Sequence, residues 1–200
     1  ADARPFITHH NALDIDVYLR ISAGELWQKK LMVAGIPSTF EIGRIFRNEG
    51  MSREHLQDYT QLEFYTAFSD YRKGMEMIKE LYQTVAQATF GTKKFSIGDH
   101  EVDLEAEWKV YDFCTVIKEH YGIDPLTASE KEVITALTNA DIPFEKGATN
   151  IERGVDLLWK KIRKGIGGPG FLIGVPVYLE PLDKRSSENP NVVERFQVLL

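Results

Sequence analysis

Apolar and polar positions alternate most regularly between residues 40 and 68, and that stretch predicts a β-hairpin with two unlike faces. Counted in twos from Phe40, the side chains of Phe40, Ile42 and Phe46 fall on one side and those of Glu41, Gly43, Ile45 and Arg47 on the other. In the second run Thr60, Leu62, Phe64 and Phe68 form the apolar side, which leaves Tyr59, Gln61, Glu63 and Tyr65 opposite. Two polar strand faces that meet in this way make a floor for a ligand, and Gly43 would let the ligand approach the backbone. The connection from about Asn48 to Asp58 is long for a tight turn, and loops of that length are commonly functional.

Around the hairpin the period changes. Tyr18 to Ile21 reads as a short strand, and Gly24 to Val33 as a helix with Leu26, Trp27 and Leu31 available for burial, stopped by Gly35 and Pro37. Tyr71 to Thr89 carries Met75, Ile78, Leu81, Tyr82 and Val85 at helical spacing, as core packing requires. Lys94 to Val102 predicts a small hairpin around Gly98-Asp99. Three further helices are expected at 112–121, 129–140 and 151–166, with Asp112 and Ser129 as N-caps. This region, about 112–166, reads as a helical insertion between sheet elements. Phe171 to Val175 and Val192 to Leu200 return to strand-like content. The order of elements predicts an α+β fold, an antiparallel β-sheet flanked by helices.

Composition narrows the function classes. At 200 residues, 43% hydrophobic and 27% charged, the chain can bury a core, and its formal net charge of -6 supplies no basic field for a polynucleotide. One cysteine, Cys114, excludes an internal disulfide framework, and no Cys/His spacing resembles a zinc site. No run is long and apolar enough for a membrane span, so no membrane partner and a cytoplasmic location are expected. The chain opens on Ala1 and closes on an apolar run that reads as a strand cut short, so a fragment of a longer protein is expected.

The chemistry gathers in the hairpin. Arg47 can hold phosphate oxygens bidentately, with Glu49 two residues on and on the same face. Tyr59 can offer an aromatic plane to a purine, and Glu63 a carboxylate to a cation. Taken singly, each residue has a plainer reading: a surface Arg/Glu pair, a solvated loop histidine at His55, a packed strand aromatic. Gly167-Gly-Pro-Gly170 lacks the lysine and Ser/Thr of a phosphate-binding loop and reads as a turn. Asp112 and Asp156 read as capping or solvated helix residues.

Phe40-Glu-Ile-Gly-Arg-Ile-Phe-Arg-Asn-Glu-Gly50 resembles motif 2 of the class II aminoacyl-tRNA synthetases, in the form of their lysine-specific branch. Ala3-Arg-Pro-Phe-Ile-Thr-His-His-Asn-Ala-Leu-Asp14 resembles the segment that follows motif 1 there, with Tyr18 to Ile21 and Glu25-Leu26 continuing it. Pro176 to Phe196 resembles the strands that lead towards motif 3. The resemblance implies a partial class II catalytic core over 1–200, with the anticodon-binding OB domain and motif 3 absent.

It further implies that Arg47 contacts the α-phosphate of ATP, Glu49 the adenine amino group, His55 the terminal phosphates and Tyr59 the adenine ring. Glu25 would receive the α-ammonium of lysine, and Glu63 its side-chain ammonium, with Tyr65 beside it. A substrate without the distal amine would leave Glu63 desolvated and unpaired, at roughly 1–3 kcal/mol or more.

The reaction so implied is ATP-dependent formation of lysyl-adenylate and transfer to tRNA(Lys). ATP is a substrate, the Mg2+ ligands are expected outside these residues and no metal ligand is assigned within them. The whole protein is expected to be a homodimer, and the isolated fragment to be inactive. Two departures stand out: Leu56-Gln-Asp-Tyr59 replaces the usual Asn-Pro-Glu-Phe, and Ser22-Ala-Gly24 precedes Glu25 where a shorter Ala-Pro is typical. A class II paralogue that lysylates a protein such as a translation factor, and a non-catalytic binding module on the same fold, remain open on these residues.

Overall fold

The structure is a computed structural model that describes residues 4–50, 55–145 and 147–200. The chain divides into two compact units, 1–69 and 70–200. Among the described residues it forms nine strands and five α-helices, an α+β arrangement as expected. No helix among them is long and apolar enough to cross a membrane.

The first unit opens with an antiparallel pair, β1 (Ile7–His10) and β2 (Ile15–Tyr18), with Ile7 opposite Tyr18. The strand expected at Tyr18 to Ile21 thus ends where it was predicted to start. The turn between β1 and β2 was not foreseen. It closes at Asp14, which takes a positive φ of 52° that Asp tolerates better than most residues. Residues 20–24 then leave the pair and lead into α1 (Glu25–Val33) through Gly24, at φ 66°.

Helix α1 does not bury the apolar residues assigned to it. Leu26 and Trp27 are 65% and 69% exposed, whereas Gln28 is 3% exposed. The surface it meets is polar: Gln28 Nε2 donates to the carbonyls of Ala23 (3.1 Å) and Glu63 (3.3 Å), and its Oε1 accepts from Thr39 Oγ1 (3.0 Å). A buried amide with these partners satisfied anchors the helix as an apolar side chain would elsewhere.

That surface belongs to the main hairpin, β3 (Ser38–Phe46) and β4 (Asp58–Thr66), paired antiparallel from Ser38 opposite Thr66 to Phe46 opposite Asp58. Its two faces are those the alternation predicted. The polar face is half-buried, while Phe40 and Ile42 on the apolar face are 71% and 62% exposed. Phe68 is not part of that face: it lies beyond β4 at φ 54° and is fully exposed. Residues 51–54 of the connection lie outside the described residues.

Among the described residues, the second unit carries both hydrophobic clusters. Helix α2 (Tyr71–Phe90), N-capped by Asp70, packs Met75, Ile78, Tyr82 and Ala86 against the pair β5 (Lys94–Ile97) and β6 (His100–Asp103) and against Trp108 and Phe171. Gly98, at φ 58°, makes the expected turn between β5 and β6. Strand β7 (Lys109–Asp112) was missed by the sequence. It is too short to show a period and runs straight into the cap of the next helix.

Helices α3 (Phe113–Tyr121), α4 (Glu130–Asn139) and α5 (Ile151–Ile162) follow, with Asp112 and Ser129 capping as predicted. A 3-10 turn at Arg163–Gly165 occupies the last part of the third expected helix. The three helices bury Phe113, Ile117, Val133, Leu137, Leu158 and Trp159 together. Strand β8 (Gly170–Ile173) then lies parallel to β7 and antiparallel to β9 (Gln197–Leu199). One pairing is therefore parallel, because the helices between β7 and β8 form the long crossover that parallel neighbours require.

Candidate functional site

The polar face of β3–β4 is a ladder of opposed residues: Thr39 with Tyr65, Glu41 with Glu63, Gly43 with Gln61, and Ile45 with Tyr59. Arg47 extends the ladder, its N–H donating to the Gln57 carbonyl at 2.8 Å. Glu63 lies four positions beyond Tyr59 along β4, roughly 13 Å at strand rise. Carboxylates thus occupy one end of the face, and the aromatic ring and the arginine the other.

Residues 20–24 are laced across this face. The N–H of Phe46 donates to the Arg20 carbonyl (2.9 Å), and Arg47 Nε donates to that of Ile21 (3.2 Å). Ser22 Oγ donates to Glu63 Oε2 (3.1 Å), and the Ala23 N–H donates to Gln61 Oε1 (3.1 Å). A Cβ on Gly24 would collide with the Glu41 carboxylate, so glycine suits this position for both its left-handed backbone and its lack of a side chain. The extra residue before Glu25 is therefore fitted against the floor.

The residues at the carboxylate end come together. Tyr65 donates its hydroxyl to Glu63 Oε1 at 2.9 Å. Burial first, then this hydrogen bond and the negative charges of Glu63 and Glu25, raise the Tyr65 hydroxyl well above the usual phenol range. Glu25, in the first turn of α1, is thus within electrostatic reach of the Tyr65 hydroxyl. Its carboxylate is also held by Lys29 at 2.6 Å, an exposed pair on one helix face of a kind that contributes little. A cavity of about 460 Å3 opens beside Ser22, Gly24, Glu25 and Lys29.

Of the remaining candidates, Arg47 and Tyr59 lie at the far end of the floor, both half-buried. Glu49 is half-buried, and its N–H donates to the Arg47 carbonyl at 2.9 Å. His55 is exposed and lies ahead of β4. The space above Gly43, read from sequence as room for a ligand, holds the guanidinium of Arg20: a Cβ there would collide with Nη2. Arg20 also pairs with Glu41 and donates Nε to the Arg44 carbonyl at 2.8 Å.

Arg20, Ser22 and Gln28 are thus working parts of the floor that sequence reasoning did not single out, whereas Gln61 had been placed on its polar face. Gln28 carried no distinguishing signal, since Lys29 and Lys30 follow it and make it read as one more polar residue of a short helix. Arg20 and Ser22 carried none either, since their partners are at least 21 residues away.

The family model described as tRNA synthetases class II (D, K and N) matches residues 1–200. The lysine–tRNA ligase of Thermosipho africanus is 37% identical over 201 residues, which cover 100% of this chain and 39% of that protein. The lysine–tRNA ligases of Bacillus thuringiensis and Bacillus anthracis are each 36% identical over 203 residues, covering 100% of this chain and 40% of theirs. The chain spans about two fifths of the length of these curated relatives. With motif 2 on a polar hairpin and a family match along its whole length, the chain belongs to the class II tRNA synthetases of the D, K and N group.

Proposed function

We propose that this chain is the central part of the catalytic domain of a lysine–tRNA ligase. The observation that carries the reading is the gathering of Glu25, Glu63 and Tyr65 at one end of the floor whose other end presents Arg47 and Tyr59. Lysine has two ammonium groups, and the floor offers a carboxylate for each, Glu25 for the α-ammonium and Glu63 for the side-chain ammonium. The relatives' name, lysine–tRNA ligase, points the same way.

In this reading the lysine carboxylate attacks the α-phosphorus of ATP. A carboxylate–phosphorus bond forms, the bond to the bridging oxygen breaks, and pyrophosphate leaves. The terminal hydroxyl of tRNA(Lys) then takes the lysyl group and releases AMP. No general base is needed in the first step, because the nucleophile is already ionised. Arg47 stabilises charge on the transferring phosphoryl group, and its tie to the Ile21 carbonyl fixes its orientation before ATP arrives. Tyr59 stacks on adenine, Glu49 accepts from its amino group, and His55 lies towards the terminal phosphates. Mg2+ would supply charge neutralisation on the phosphates of ATP; among the described residues no group of three or more His, Cys, Asp or Glu side chains is placed to hold a metal ion.

The test is lysine-dependent ATP–pyrophosphate exchange and lysine charging of tRNA by the intact gene product. Arg47→Ala should lower exchange by about 100-fold or more, the scale for removing one preorganised charged donor. Exchange that survives the substitution would sink the role of Arg47. Lysine delivered to a protein in place of tRNA would overturn the second half of the reaction.

A further inference from the structure

Glu41 and Glu63 stand directly opposite one another on the half-buried face, and Glu25 adds its charge at the same end. Two carboxylates facing across an antiparallel pair repel. They are nevertheless treated differently. The donors on Glu63 are neutral: the Ser22 hydroxyl on Oε2 and the Tyr65 hydroxyl on Oε1. Glu41 receives a full positive charge from Arg20, whose fork is held on its other side by the Arg44 carbonyl at 2.8 Å and lies in the gap that Gly43 leaves.

We propose that Arg20 is a specificity-determining positioning residue: by occupying Glu41 it leaves Glu63 as the one carboxylate of the facing pair free to take a substrate ammonium. The inference rests on the reading that Glu63 receives the lysine side chain. Without Arg20 the floor would offer a second carboxylate one strand across from the first. An ammonium on a shorter stem could then be held from a different point, so discrimination by chain length falls whether lysine itself binds more tightly or less. Gly43 serves the same arrangement, since any side chain there displaces the guanidinium.

The experiment compares kcat/KM for lysine and for ornithine, one methylene shorter, in the exchange reaction of the intact protein. In Arg20→Gln the lysine-to-ornithine ratio should fall roughly fivefold, the upper scale for a partly exposed ion pair. The double variant Arg20→Gln with Glu41→Gln removes the competing carboxylate as well and should restore the ratio to within about twofold. Arg20→Lys keeps the charge and should hold it.

Glu41→Gln alone leaves an unmatched cation beside the site, and should raise KM for lysine and leave KM for ATP in place. This variant carries the test should Arg20→Gln fail to fold. An unchanged ratio in Arg20→Gln, no recovery in the double variant, or an unchanged lysine KM in Glu41→Gln overturns the proposal. If the parent shows no lysine-dependent exchange, the function proposed above fails. Calorimetric titration of lysine and ornithine into the same variants then reads the role of Arg20 by itself, with an unaltered affinity ratio overturning it.

Discussion

Glu63 takes one hydroxyl on each carboxylate oxygen, and that restricts it to one rotamer before any substrate arrives. Its partner Tyr65 is raised above the usual phenol range by burial and by Glu63, so it stays a donor at neutral and moderately alkaline pH. Cys114 shows the same physics away from the site. Burial, with the negative charges of Asp112 and Asp124, pushes its thiol up to about 12. The folded value lies above the unfolded one, so the stability this thiol contributes is fully present below its unfolded value and is lost as pH rises through its folded one. Iodoacetamide should therefore alkylate Cys114 slowly at pH 8 in the folded protein and at an ordinary thiol rate in denaturant, as mass spectrometry would read. Equal rates would refute the burial argument.

At the scale of elements, α1 and α5 are anchored in opposite ways. Helix α1 is held by the Gln28 amide, with its larger apolar residues towards solvent. Gln28→Leu keeps the bulk but strips partners from the Ala23 and Glu63 carbonyls and from Thr39. It should cost about 1–3 kcal/mol in chemical denaturation, although it makes the helix more apolar. A stabilised variant would contradict this account. Helix α5 follows the ordinary rule, burying Val155, Leu158, Trp159 and Ile162 at helical spacing. It meets α4 at Gly154, where a Cβ would collide with Val133 Cγ1. Gly154→Val should destabilise by about 1–3 kcal/mol through overpacking, although glycine is the poorer helix former. A rise in Tm would show that the two helices can separate freely.

Across the whole molecule the apolar burial is uneven. Both hydrophobic clusters lie within 70–200, while in 1–69 the apolar face of the main hairpin is open at Phe40, Ile42 and Leu62. Residues 70–200 expressed alone should unfold in one cooperative transition by circular dichroism, and residues 1–69 alone should show none. The reverse result would mean that the stability of the chain lies elsewhere than in these clusters. The exposed apolar face of β3–β4 also shows why alternation was such a clear guide there: a period of two records which residues share a face.

That distinction separates what the sequence determined from what the tertiary structure decided. Local periodicity, turn residues and caps were sufficient for β3 and β4, the Gly98 turn, and the helices begun by Asp112 and Ser129, because each depends on neighbours within a few residues. The resemblance to motif 2 was readable for the same reason, as a continuous string that begins on β3 and runs just past its end. Which face of α1 turns inward, the parallel pairing of β7 with β8, and the placement of Arg20 against Glu41 were decided by folding alone. Each depends on a partner distant in the chain: Gln28 on the Glu63 carbonyl, Lys109 on Gly170, Arg20 on Glu41. The hairpin residues proposed for ATP and lysine were therefore legible as a set, while the segment that holds and separates them became visible only when residues 20–24 were laid across the floor.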